Sequence, residues 1–178
     1  MIFSKIDIEK AIENEEIVIT PLSKDSIRLA SIELSLGNDI LYIPKDGGSI
    51  DVSKPETCSN FKAINYSDDE AINVDPGSLT IAITKETVKL PANVMARIEG
   101  ESILRSLGLI IYSREEHLEP NSSGLVSFIL KNIGSRTIVI KPGMKICRLV
   151  FEQLLTPIEE IKKEVKPKAQ TTSGKKQA

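Results

Sequence analysis

Residues 74–108 read VDPGSLTIAITKETVKLPANVMARIEGESILRSLG, and the reading of the fold turns on this stretch. Turn chemistry at Asp75–Pro76–Gly77 opens it. Alternating apolar residues then predict strands at 79–84 and 94–99, with a short one at 86–89 between them. After Gly100 a polar turn leads into Ile103, Leu104 and Leu107 at helical spacing, and Gly108 closes that helix. A turn feeding the first turn of a helix presents free backbone N–H groups, which suit a phosphate; an ordinary surface cap has the same pattern.

Downstream, strands are expected at 109–113, 124–132, 136–140 and 145–155, punctuated by turns at 133–135 and 142–143. Upstream, Asp7 reads as the N-cap of a helix carrying Ile8, Ala11 and Ile12 on one face. A strand at 17–20 runs to Pro21. Ile32, Leu34 and Leu36 face one way in an alternating run that resumes at 39–43. Residues 45–48 are turn chemistry, and 53–69 form a polar excursion with one short strand. Many short strands, regular turns and no βαβ alternation indicate a mostly β protein: an antiparallel barrel or jelly roll with an N-terminal helix and one short embedded helix. The expected division is a domain over 1–157 and a basic tail over 158–178.

Composition narrows the class. The chain has 178 residues, 40% hydrophobic but only 4% aromatic and without tryptophan, so the core must be built from Ile, Leu and Val. No apolar run is long enough for a membrane span, and MIFSKIDIEK carries charges where a signal peptide needs an apolar stretch; a cytoplasmic protein is expected. Cys58 and Cys147 lack CxxC spacing and read as reduced thiols. The net charge of −2 conceals six lysines against Glu164 alone in residues 161–178, over an acidic remainder. Such a tail is either a solvated end or an arm that folds over an anionic ligand.

Several chemistries are excluded. Zinc-dependent deamination needs three His/Cys ligands and a neighbouring glutamate, whereas His117 is the only histidine and the two cysteines lie far apart. His117 sits in REEHLEP with no serine elbow to serve, and neither GxxxxGK[ST] nor GxGxxG occurs. An acidic body without aromatic platforms argues against nucleic-acid binding.

These segments together resemble the dCTP deaminase branch of the dCTP deaminase/dUTPase family. MIFSKIDIEKAIENEEIVITPL is similar to its N-terminal helix and first strand, and SIELSLGNDI to its SxDLRLG segment. GESILRSLGL is similar to its GRSSLARLG signature, and KPGMKICRLVF to its PGMKICQLVF strand. The matches are collinear over most of the chain. The resemblance implies a distorted, dUTPase-like β-clip barrel, a homotrimer with nucleotide sites between subunits, and metal-free hydrolytic deamination of dCTP to dUTP. The sister enzymes cleave dUTP to dUMP and pyrophosphate. Magnesium would arrive on the triphosphate, with no cofactor held by protein ligands.

Position by position, the motif frame is kept and its chemistry is altered. The first signature arginine, which binds phosphate in the family, falls at Glu101; the serines fall at Ser102 and Ile103, and the later arginine at Ser106. Arg105 lies one residue early, a rotation of about 100° on a helix. A carboxylate for a guanidinium beside a triphosphate costs a few kcal/mol per unit charge at contact distance. The family's HxTAGxIDPGFxG loop becomes YSREEHLEPNSSG, which puts Arg114 and Glu115 at its Thr-Ala pair and Glu119 at its aspartate. The deaminase glutamate, which activates water, falls at Ile129, and isoleucine accepts no proton.

The candidate site set is therefore Glu119 as a replacement carboxylate, with Ser102, Arg105, Arg114 and the tail's Gln170 for nucleotide. Three readings stay open: a dCTP deaminase-like protein with catalysis impaired or lost, an inactive structural or regulatory trimer (alone or mixed with an active paralogue), and a dUTP diphosphatase using Glu119. Ordinary surface and core roles also fit each position, including a Glu101–Arg105 pair one helical turn apart.

Overall fold

A computed structural model describes residues 1–43, 49, 51, 53, 61–115 and 117–158. The expected tail beyond Ile158, with Gln170, the turn expected at 45–48, and Cys58 lie outside these residues.

The chain starts with α1 (Lys5–Glu13), whose cap differs from the expected one. Ser4 is the N-cap and Asp7 is the third helical residue. Asp7's carboxylate accepts from the Ser4 N–H at 2.9 Å and its N–H donates to Ser4 Oγ at 3.4 Å, a reciprocal capping box. The helix lays Ile8 and Ala11 on the core and leaves Ile6 exposed. Strand β1 (Val18–Thr20) follows, then a 3₁₀ turn at Lys24–Ser26.

Next come β2 (Ile32–Tyr42), β3 (Lys62–Asn65), β4 (Ile72–Val74), β5 (Leu79–Lys89) and β6 (Val94–Gly100). The helix α2 (Ser102–Ser106) sits between β6 and β7 (Leu109–Ser113). The chain continues through β8 (His117–Leu118), β9 (Ser123–Asn132), β10 (Ile138–Ile140) and β11 (Lys145–Gln153). All named pairings are antiparallel, along the path β7-β9-β5-β2-β11-β6-β8, with β1 on β5 and β3 on β2; β4 and β10 form a separate pair. The path curls back on itself: a Cβ built on Gly100 of β6 would stand 2.7 Å from that of Ile111 on β7. Only a residue without a side chain lets the two strands meet. The result is the expected mostly β, nearly closed barrel.

Two predicted breaks turn out to be irregularities inside long strands. The runs at 31–36 and 39–43 are one strand, as are those at 79–84 and 86–89. Their pairing slips register between Leu36 and Ile40, where Gly37 lies against the Ile83 and Thr84 carbonyls. A register shift re-aims side chains without ending the sheet, so a local polar residue looks like a strand end in sequence. The two-residue β8 was not expected at all; His117 and Leu118 pair with Arg97 and Ala96.

Phe128, Phe151, Leu34, Leu36, Ile40 and Leu130 are fully buried in an otherwise aliphatic core. Alternation in β2 fails because both faces are covered. Ile32, Leu34 and Leu36 enter the core, while Glu33 and Ser35 between them are also buried, among charged partners. Of the three apolar residues at helical spacing in and just after α2, Leu104 alone is buried: Ile103 is 65% exposed and Leu107 58%. A five-residue helix has one turn's width to place against the barrel, so one apolar residue reaches it and the others flank it.

Candidate functional site

Strands β2, β11 and β6 lie side by side, and register decides which side chains meet. Arg148 stands opposite Glu33 on β2 and opposite Glu99 on β6. Two residues beyond Glu99, on the same face, Glu101 leaves the sheet as the N-cap of α2. Its N–H still donates to the Ile146 carbonyl at 3.1 Å, which keeps it beside β11. Its carboxylate does not cap the helix but accepts from Arg148: Nη2 to both oxygens at 2.8 Å, and Nε to Oε1 at 3.2 Å. The expected Glu101–Arg105 pair is replaced by this one, and Arg105 is exposed.

A second fork lies alongside. Arg28 Nε and Nη2 donate to the two oxygens of Glu33 at 2.7 and 2.9 Å. The hydrogen bonds from Arg28 hold the Glu33 carboxyl below its ordinary range, with Arg148 and Lys145 adding to the effect. Farther along, Lys145 Nζ donates to Ser26 Oγ at 2.9 Å and Ser35 Oγ at 3.2 Å, and lies 4.0 Å from Glu86. Glu86 in turn accepts from the Ser35 N–H at 2.8 Å. Cys147, next to Arg148 but on the core side, is fully buried, and burial pushes its thiol up to about 12.

Arg28, Ser31, Glu33, Arg97, Glu99 and Arg148 line one open groove of about 610 Å³. Arg97 is itself held by Glu152, with Glu99 at 3.6 Å. Each of the groove's three guanidiniums thus has a carboxylate from this chain.

The residues singled out from sequence are not gathered into one constellation. Ser102 and Arg105 are exposed on α2, where the Ser102 carbonyl accepts from Ser106 Oγ at 3.0 Å. Arg114 is exposed in the turn after β7; its neighbour Glu115 lines a cavity of about 180 Å³ with Val88, Leu118, Ser122 and Leu125. Arg114 is not among the lining residues. Glu119 is 71% exposed and pairs with His117 Nε2 at 2.8 Å.

Ile129 sits in the middle of β9, opposite Ile81 on β5 and Tyr112 on β7. It does not share the core with Phe128 and Leu130, which are fully buried; it is half-buried on the opposite face, like Ser127 and Lys131. Among the described residues no group of three His, Cys, Asp or Glu side chains is placed to hold a metal ion.

Arg148, Arg28 and Glu33 were missed from sequence. The visible signal was Arg148 itself, a guanidinium inside KICRLVF where the resembling strand has glutamine.

A nearly closed antiparallel barrel with this strand order defines a dUTPase-like fold. The chain belongs to the dCTP deaminase-like family, whose model matches residues 2–154. It is 36% identical over 159 residues to a "dCTP deaminase, dUMP-forming" of Persephonella marina, covering 89% of this chain and 87% of that one. It is 31% identical over 176 residues to a dCTP deaminase of Buchnera aphidicola, covering 92% and 91%.

Among solved structures it is similar in fold to the 2'-deoxycytidine 5'-triphosphate deaminase of Agrobacterium tumefaciens, with a TM-score of 0.65 and 15% identity. That match covers 86% of this chain, which spans about half (47%) of the other. A dUTPase of Staphylococcus bacteriophage 80alpha matches at a TM-score of 0.50 and 13% identity, over 84% and 97% of the two chains.

Proposed function

We propose that the protein is a dCTP deaminase-like protein of pyrimidine deoxynucleotide metabolism that keeps the family scaffold and has lost ordinary deamination. The observation that carries this reading is Ile129, packed in its ladder between Ile81 and Tyr112. Hydrolytic deamination adds water to C4 of cytosine and expels ammonia. A base must take a proton from the water, and the departing amino group must receive one. An isoleucine at the family's glutamate position supplies neither function.

Binding is weakened at the other end of the nucleotide. A guanidinium at position 101 would attract a triphosphate with its magnesium, whereas Glu101 repels it and engages the nearby Arg148. The assembly that fits this scaffold is a homotrimer. Retained without turnover, such a trimer acts as a structural or regulatory partner in deoxynucleotide chemistry.

The dUTP diphosphatase reading would place its chemistry on Glu119, whose carboxylate is held by His117 on the surface. Both substrates therefore belong in one assay. Purified protein with magnesium and dCTP or dUTP should release no dUTP, dUMP, ammonia or pyrophosphate above the enzyme-free control, with products separated by chromatography. Turnover at rates typical of the relatives would overturn the proposal. The triple variant Ile129→Glu, Glu101→Arg, Arg148→Gln restores the family residue at each position and should recover measurable dUTP or dUMP formation from dCTP.

A further inference from the structure

The geometry points to Met144 as a site of methionine oxidation: a thioether that closes the turn between β10 and β11, and releases it when a peroxide adds oxygen to the sulfur. This goes beyond the proposed function and does not rest on it.

Residues Lys141, Pro142, Gly143 and Met144 form that turn. Proline is second, glycine is third at a φ of +81°, and the Met144 N–H donates to the Lys141 carbonyl at 3.2 Å. Two more bonds tie the turn to β2. The Gly143 N–H donates to the Leu36 carbonyl at 2.7 Å, and the Leu36 N–H to the Met144 carbonyl at 2.8 Å. They fall where regular pairing is interrupted: β2 slips on β5 between Leu36 and Ile40, and β11 slips on β2 between Lys145 and Cys147. The Met144 side chain then folds back over its own turn, and its Sδ accepts from the Lys141 N–H at 3.2 Å. A thioether is a weak acceptor, so this is the bond of the turn most easily lost.

Met144 is 40% exposed, which gives a small oxidant access to it. The other two methionines of the chain are placed differently. Met1 bonds through its main chain, to Gln153, and Met95 is half-buried on β6 opposite Glu152.

In the reaction a lone pair on Sδ attacks one oxygen of hydrogen peroxide. The S–O bond forms as the O–O bond breaks, and sulfur gives up two electrons. The departing hydroxide takes the proton of the transferred oxygen and leaves as water. The product is a polar sulfoxide, whose acceptor strength lies on the new oxygen rather than on sulfur. With nitrogen and sulfur 3.2 Å apart there is no room for that oxygen between them, so the side chain swings away and the turn loosens. Stereospecific sulfoxide reductases, drawing electrons from a thiol, restore the thioether.

The test treats the purified protein with dilute hydrogen peroxide and quenches it with free methionine. Peptide mapping is expected to find Met144 converted to the sulfoxide in the folded protein. Amide exchange at Lys141 should then rise about threefold to tenfold, the equivalent of one hydrogen bond. Met144→Leu, close in volume, has no acceptor to lose. Its Lys141 amide should exchange fast from the start and not respond to peroxide, and its urea midpoint should fall less on oxidation than that of wild type. Oxidation of Cys58 or of the other methionines is common to both proteins and cancels in that comparison. Sulfoxide reductases with dithiothreitol should return the oxidised wild type to its original exchange rate.

The inference is overturned if Met144 stays unmodified in the folded protein, or if its complete oxidation leaves Lys141 exchange unchanged. An equal response of Met144→Leu to peroxide would overturn it too. The first two outcomes are read on wild type alone and stand whether or not the variant folds.

Discussion

Glu101 and Arg148 are 47 positions apart in sequence and bonded in the fold. From sequence, the carboxylate at 101 was recognisable as hostile to phosphate, because it stands where a signature arginine is expected. Its partner was not, since a helical register offers Arg105 and only strand pairing offers Arg148. The same limit applies to Ile129: its neighbours suggested a core position, and the pleat turned it to the other face. Cys147 lies on the core side of β11, next to Arg148, and reads plainly. Its thiol is buried and pushed up to about 12, chiefly by burial and then by Glu86 and Glu101, so the reactive thiolate is absent at neutral pH. Iodoacetamide applied to the native protein at pH 8 should leave Cys147 unmodified on peptide mapping, and denaturation in urea should expose it to quantitative alkylation.

At the scale of elements, periodicity located the strands other than β4 and β8, and turn residues located most of their ends. What it misjudged were places where two elements adjust to one another. Strand β2 passes β5 with Gly37 against two carbonyl oxygens: a Cβ there would stand 2.9 Å from the Ile83 and Thr84 oxygens. Backbone atoms in a paired strand cannot step aside as a side-chain tip does. Gly37→Ala is therefore expected to destabilise the protein by about 1–3 kcal/mol, read as a lower urea midpoint in equilibrium unfolding, through overpacking rather than through any effect on turn geometry. An unchanged midpoint would mean that the register slip between Leu36 and Ile40 is soft. The helix α1 shows a milder version of the same effect. Its capping box was present in the residues Ser4 and Asp7, and the roles of cap and third helical residue were exchanged in the reading.

For the molecule as a whole, the charged face of β2, β11 and β6 ties stability to pH. Glu33, bonded to Arg28, and Asp7, bonded to Ser4, are both held below their ordinary values of 4.5 and 3.8. The unfolded chain therefore binds more protons than the native one in the acid range, and stability falls as pH falls. The contribution is fully present above those ordinary values and disappears as pH drops through the lower native ones. Urea midpoints should be flat between about pH 7 and 5 and decline below about 4.5. Glu33→Gln should start lower and show a shallower acid decline; an equally steep decline would place the titrating carboxylate elsewhere.

Much of this protein was settled by its residues in linear order. Barrel class and the embedded helix follow from patterns with periods of two and 3.6 residues, which a chain displays before it folds; the aliphatic core follows from composition, and the family resemblance from motifs in collinear order. That the side chain at Ile129 accepts no proton is likewise a matter of residue identity alone. Only the tertiary structure decided what answers Glu101, which face Ile129 occupies and where two long strands cross without a side chain between them. Those are contacts between positions far apart along the chain, created when strand register brings them to the distance at which charge and volume act.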